Sequence, residues 1–164
     1  MKFERIGFEQ FKKDYIKRID PSASSADIAK AYTKIRKPER STVNSAGYDF
    51  TIPFDLTMSK NSMVYIPTGI CMELDPDKYL ELVPRSSGAK KGLRLGNTVG
   101  VVDADYYNNP DNGGHILICM QTTDQNVSFS VGDKIAQGII KQYFMVDDDA
   151  AKGVREGGFG STGN

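Results

Sequence analysis

Histidine, cysteine and net charge are all scarce in this chain, and each shortage closes off a class of chemistry. His115 is the only histidine among 164 residues. No histidine pair therefore exists to hold zinc, and Ser86 and Ser87 have no His–Asp partners that would turn either into a nucleophile. A lone histidine is read as structural. The two cysteines, Cys71 and Cys119, fit neither a disulfide framework nor a zinc-ligand pattern. Both stand in apolar runs and read as buried, reduced thiols. The 21 basic and 21 acidic side chains cancel, which argues against a broad electrostatic footprint for nucleic-acid polymers and makes any phosphate recognition local. The chain holds no Walker Gly-Lys-Ser/Thr pattern, which excludes a P-loop. No apolar run is long enough to span a bilayer and no leader is visible, so a cytoplasmic protein is expected.

What is present reads as one domain with a real core. Phe8, Phe11, Tyr15 and Ile16 fall at i, i+3, i+7 and i+8, one face of a helix that follows a short start and ends at Pro21. Ser24 or Ser25 caps a second helix with Asp27 in its first turn and Ile28, Tyr32 and Ile35 on one face. From about residue 45 the period changes. Val64, Ile66, Ile70 and Met72, and then Val127, Phe129 and Val131, recur with even spacing. Further strands are predicted over 79–83, 99–102, 116–120 and 135–146, separated by Gly, Pro, Asn and Asp. Many short strands with few helices between them predict an all-β sandwich or barrel. The expected division is a helical extension over 1–34, read as a packed surface appendage, a β core over 35–152, and a flexible arm over 153–164.

Five segments carry candidate chemistry. Ala46-Gly47-Tyr48-Asp49 is weak alone, a glycine and an acceptor before a strand. Pro84-Arg85-Ser86-Ser87-Gly88 reads as a turn whose N–H groups, hydroxyls and guanidinium suit an anion. Asn97 to Tyr106 is an apolar run that delivers Asp103, a candidate base acting on water, and then Tyr106, an aromatic wall for a sugar. Asn108 to Gly114 follows as a long turn. Gly132 to Gln137 combines a turn with the neutral amide of Gln137. Arg155, Phe159, Ser161 and Thr162 sit among glycines at the C-terminus, a stacking ring and anion-binding donors on a loose backbone.

In this order and spacing the five segments resemble the five motifs of the trimeric dUTPase family, over residues 35–164, about four-fifths of the chain. The resemblance implies a jelly-roll β-sandwich assembled as a homotrimer, with active sites between subunits and the arm of one chain closing a site built by the others. It implies hydrolysis of dUTP to dUMP and pyrophosphate with Mg2+, by water attack on the α-phosphorus. Carried over by residue, Asp103 would activate water, and Tyr106 would sit under the deoxyribose and exclude a 2′-hydroxyl. Asn97 and the backbone of Val101 and Val102 would hold uracil. Arg85, Ser86, Ser87 and Gln137 would bind phosphates. Phe159 would stack on the base, and Arg155, Ser161 and Thr162 would grip the γ-phosphate. Asp49 would arrange metal-bound water, the ion itself resting on triphosphate oxygens.

Two alternatives compete. A dCTP deaminase, or a bifunctional enzyme with both activities, shares the fold and a Pro-Arg-Ser-Ser segment. It needs a carboxylate near Ile116–Met120, where this sequence has none. A dUTP-gated binding protein would use the extension or the 107–114 hairpin as its partner surface.

Overall fold

The computed structural model describes residues 1–155, 157 and 158. It opens with strand β1 (Lys2–Arg5) and helices α1 (Phe8–Arg18) and α2 (Ser25–Thr33). Strands β2 (Glu39–Arg40), β3 (Tyr48–Thr51), β4 (Leu56–Met58), β5 (Met63–Pro67), β6 (Ile70–Glu73) and β7 (Lys78–Val83) follow. After a short helix α3 (Ser86–Lys90) come β8 (Leu93–Leu95), β9 (Gly100–Asp103), a 3-10 turn (Ala104–Tyr106), β10 (Leu117–Thr122), β11 (Val127–Phe129) and β12 (Lys134–Gln142). The even-spaced runs thus form strands, as their alternation predicts.

Every strand pair is antiparallel. The principal sheet runs β2-β3-β12-β7-β9, and a second runs β5-β10-β8. Phe50 of β3, Leu80 of β7, Ile66 of β5 and Ile118 of β10 meet in one buried cluster, so the two sheets share a core. This is the sandwich that period-2 patterning with one buried face demands. The 135–146 strand stops at Gln142, and Phe144, Met145 and Val146 beyond it are exposed.

The N-terminal extension departs from expectation. Its short start is a strand, β1, laid against β6 with Phe3 opposite Met72. Ser24 is the cap of α2, its Oγ accepting from the Asp27 N–H at 3.1 Å. Phe11 and Ile28 are completely buried and belong to the sandwich core. Tyr15 meets Phe54 edge-on, centroids 4.9 Å apart. These residues make the extension part of the core, where a surface appendage was expected. The apolar stripe of α1 was legible; that it covers the sandwich depended on long-range packing.

His115 ties the same helix to the β core and is structural, as expected. Its Nε2 accepts the Gly69 N–H at 2.9 Å, which leaves Nδ1 to donate to Asp14 Oδ2 at 2.6 Å. Burial pushes the Asp14 carboxyl up, but hydrogen bonds from His115 and Gln10 more than offset that and hold it below the ordinary carboxylate range. Cys71 and Cys119 are buried free thiols, and burial raises the Cys71 thiol. No helix among the described residues is long and apolar enough to cross a membrane.

If α1 belongs to the core, Phe11→Ala will cost about 3–5 kcal/mol, the usual penalty for emptying a buried aromatic site. Urea denaturation of the purified variant checks this, and a loss under 1 kcal/mol would return the extension to the surface.

Candidate active site

Two clusters of predicted site residues lie on the principal sheet. The first gathers around Asp49. The register sets Gln137 of β12 between Asp49 of β3 and Val83 of β7, so the first, second and fourth segments are brought abreast by strand pairing alone. Arg85, two residues past Val83, places Nε 2.9 Å from Asp49 Oδ1. Lys134 Nζ lies 2.7 Å from Oδ2, and Ser41 donates to the same oxygen at 2.8 Å. Burial raises the Asp49 carboxyl, while bonds from Lys134 and Ser41 and the charge of Arg85 more than offset that and leave it lowered. Gln137 Nε2 reaches the Pro84 carbonyl at 3.4 Å. A Cβ at Gly47 would stand 2.4 Å from Gln137 Oε1, so the Gly47 backbone and this amide lie close together.

The expected turn over Pro84–Gly88 begins a single-turn helix instead. Arg85 is the residue before α3, with extended backbone (φ −83°, ψ 146°), and Gly88 N–H returns to the Arg85 carbonyl at 2.9 Å. Proline restricts the backbone without donating, and Ser and Ala continue helically from it. Ser86 and Ser87 stand exposed at the start of that helix. Ser41 and Lys134 were not anticipated as partners of Asp49. Lys134 had one sequence signal, its place beside Gly132-Asp133.

The second cluster is a cavity of about 250 Å³ at the edge of the sheet. Leu82, Val102, Ile116 and Leu117 supply apolar wall, and Asn97, Asp103, Tyr106 and Arg155 supply polar groups. Among the described residues β9 is the last strand of its sheet and pairs only with β7. Its outer edge therefore offers main-chain donors and acceptors at alternate residues of the Val101–Val102 stretch. Ahead of it, Thr98 adopts φ +62°, an uncommon setting for a β-branched residue, where strain tends to mark a functional turn.

Asp103 ends β9 and is half-buried. Arg155 bridges it to Asp105, donating from Nη2 to Asp103 Oδ2 at 2.5 Å and from Nε to Asp105 Oδ1 at 2.7 Å. The guanidinium also lies 5.9 Å from the centroid of the Tyr106 ring. A γ-phosphate contact was expected of Arg155; the two carboxylates at that spacing match its fork and hold it in its own chain. Tyr106 is buried, its hydroxyl donating to the His115 carbonyl at 2.9 Å. A Cβ at Gly158 would fall 2.7 Å from the Tyr106 ring, so the arm crosses close over it. Phe159, Ser161 and Thr162 lie outside the described residues.

The two clusters do not meet within the chain. Asp103 pairs with Tyr79 at one end of β7, and Gln137 pairs with Val83 at the other. Four residues of strand separate these rows by about 13 Å, and Arg85 lies further on.

An antiparallel sandwich with an edge-strand pocket and a separate cationic cluster is a scaffold for binding a small anionic ligand. The model of the family described as dUTPase matches residues 33–163. A deoxyuridine 5'-triphosphate nucleotidohydrolase of Lactococcus lactis subsp. lactis (strain IL1403) is 42% identical over 133 residues, 79% of this chain and 89% of the relative. The crystal structure of a dUTPase from Streptococcus mutans is 40% identical and superposes with a TM-score of 0.65, covering 70% of this chain and 90% of that one. The native EIAV dUTPase, at 22% identity and a TM-score of 0.56, shares the fold. This chain belongs to the dUTPase family, and its all-β fold is of that family's type.

The depressed Asp49 carboxyl fixes the sign of a pH effect. Its ion pairs contribute their full stability above the ordinary carboxylate value, and that contribution is lost as pH falls through the lowered folded value. Asp49→Asn should therefore destabilise at pH 7 and flatten the fall in stability toward pH 3. Urea melts across that range test it; parallel pH profiles for the two proteins would remove Asp49 from the titration.

Proposed function

We propose that this protein hydrolyses dUTP to dUMP and pyrophosphate, with Asp103 as the base that takes a proton from the attacking water. The single observation that carries the assignment is Asp103 at the mouth of a nucleoside-sized cavity, beside Tyr106 and the free edge of β9. The open main-chain edge at Val101 and Val102 suits the donor–acceptor edge of uracil, and Asn97 adds an amide at the turn. Leu82 and Ile116 give the base an apolar bed. Tyr106 is the wall for the sugar, where a 2′-hydroxyl would meet ring carbon in place of a hydrogen-bonding partner.

Arg85, Ser86, Ser87 and Gln137 are the phosphate-binding groups of this reading. Asp49 holds Arg85 at one end of its fork and leaves the terminal nitrogens for a phosphate oxygen. Phosphoryl transfer asks mainly for positioning and charge neutralisation, and these groups provide both without a covalent intermediate.

The separation of the clusters favours an assembly in which the Asp103 pocket of one copy faces the Arg85 cluster of another. A homotrimer with sites between subunits meets that need. Exposed Phe144, Met145 and Val146, at 87%, 73% and 70%, and Val101 at 60%, provide apolar surface for such contacts. The arm of residues 153–164 would close the site, with Phe159 on the base and Arg155, Ser161 and Thr162 on the terminal phosphate. Arg155 would then exchange Asp103 and Asp105 for phosphate oxygens, freeing the base when the triphosphate arrives.

Mg2+ fits as a passenger of the substrate. Among the described residues no group of three or more His, Cys, Asp and Glu can hold a metal ion. Asp49 is already engaged by Ser41, Arg85 and Lys134. An ion that prefers oxygen and keeps several waters suits triphosphate oxygens, with Asp49 reaching it through water. When bound it would neutralise phosphate charge. A structure of a phage phi11 dUTPase variant from S. aureus is described with a structural Mg(II) ion. Deamination of dCTP is disfavoured, because Asp103 is the only carboxylate lining the described cavity.

Pyrophosphate release from dUTP, set against dTTP, dCTP and UTP, tests the assignment, with dUTP expected to dominate. Asp103→Asn should retain nucleotide binding and lose turnover by about two to four orders of magnitude. Near-native turnover in that variant would remove Asp103 as the base, and ammonia release from dCTP would redirect the assignment to deamination.

A further inference from the structure

The loop after Tyr106 looks from sequence like a plain turn, yet two of its side chains point inward. Asn109 and Asn112 are 4% and 5% exposed. Asn112 Nδ2 donates to the Tyr106 hydroxyl at 2.7 Å, and that hydroxyl in turn donates to the His115 carbonyl at 2.9 Å. Asn109 Nδ2 donates to the Tyr106 carbonyl at 2.7 Å and to Asn112 Oδ1 at 2.8 Å. Asn112 Oδ1 also takes the Gly114 N–H at 3.1 Å. Tyr106 is thus fixed at both ends, its hydroxyl by one asparagine and its backbone by the other.

The anchor continues into α1. His115, whose carbonyl receives the tyrosine, has both ring nitrogens engaged, Nε2 by Gly69 and Nδ1 by Asp14. Asp14 is itself steadied by Gln10 Nε2 at 2.8 Å, one helical turn away. The Phe11 ring packs 6.1 Å from the imidazole. A continuous buried chain of bonds therefore runs from the N-terminal helix to the tyrosine that lines the cavity. In a water-poor interior such a chain has few alternative arrangements, since every released donor or acceptor would be left unsatisfied.

We infer that Asn112 and, through His115, Asp14 are positioning residues that set the ring of Tyr106 and with it the discrimination against a 2′-hydroxyl. The inference rests on the proposed reading of Tyr106 as the sugar wall. Neither side chain touches the cavity, so each acts through Tyr106. A displacement of the ring by a fraction of an ångström opens or closes the space for one oxygen atom. The extension thereby gains a role in substrate choice besides its share of the core.

The experiment compares kcat/KM for dUTP and UTP in five variants of the full-length protein. Asn112→Ala and Tyr106→Phe each cut the hydroxyl anchor, the second while keeping the ring. Both should lower the dUTP-to-UTP preference by roughly tenfold, the scale of one lost hydrogen bond. Asp14→Ala should lower it less, and Asp14→Asn, which can still accept the His115 N–H, should restore it. Tyr106→Ala is the control, expected to abolish most of the preference. If Tyr106→Ala leaves selectivity unchanged, the reading of Tyr106 fails. If Tyr106→Ala changes it while Tyr106→Phe and Asn112→Ala keep native selectivity, the positioning inference is overturned. A fall in thermal stability with selectivity intact gives the network a structural role alone and counts against the inference. Tyr106→Phe, which removes one oxygen, keeps the test open should Asn112→Ala fail to fold.

Discussion

The pairing of β12 on both of its edges is the constraint on which the rest of the site depends. One strand meets β3 on one side and β7 on the other, and this alone sets Asp49, Gln137 and Val83 in a row. A slip of one residue would turn Gln137 to the opposite face and part it from Gly47 and Pro84. Packing guards the register. A Cβ at Gly138 would lie 2.8 Å from Leu80 and 3.0 Å from Phe50, two core residues on the flanking strands. A glycine at that row lets the three strands close, and any other register would bring a side chain to the same spot. The bulge between Lys134 and Ala136 then frees Lys134 to reach Asp49.

From that pairing follows the separation of the two clusters within the chain. β7 carries Tyr79 opposite Asp103 and, at its far end, leads into Arg85. A strand is stiff and of fixed rise, so the Asp103 and Arg85 clusters stay apart within one chain. The proposed homotrimer would bring different ends of equivalent strands together. Division has a chemical benefit. Cations set beside Asp103 in the free subunit hold it as an ion pair, while in the proposed assembly cations brought by another copy would meet it across the substrate site. The Arg155 bridge to Asp103 and Asp105 is a pair of that kind formed within one chain.

How much of this was legible is itself a matter of physics. The strands were, because alternation of Val64 and Ile66 or of Val127 and Phe129 is forced by a face that must be buried. The helix face of Phe8, Phe11 and Tyr15 was legible for the same reason. Asp103 and Tyr106 could be marked as chemistry at a strand end, and Asp49, Arg85 and Gln137 through the order of the segments. The partners were not. Ser41 and Lys134 lie 8 and 85 residues from Asp49, Asp14 lies 101 residues from His115, and no local spacing encodes such meetings. Nor does the composition of Asn108–Gly114 tell inward amides from outward ones. Asparagine favours turns whether its amide faces solvent or satisfies a buried hydroxyl, so the polar loop reads as surface until the tyrosine it serves is in place.

The extension then takes on a meaning its sequence did not announce. An appendage can be lost without touching the site, because nothing passes through it. Here the core is closed by Phe11 and Ile28, and Asp14 supplies the acceptor for an imidazole whose own carbonyl receives Tyr106. Without Asp14, the buried Nδ1–H would need another partner or the ring would turn, and the Gly69 N–H bonded to Nε2 would be disturbed with it. On the inference drawn for Tyr106, stability and substrate choice would be coupled through one histidine. Its two ring nitrogens brace a helix against a hairpin. The scarcity of histidine in this chain fits that use, since the one present is spent on geometry.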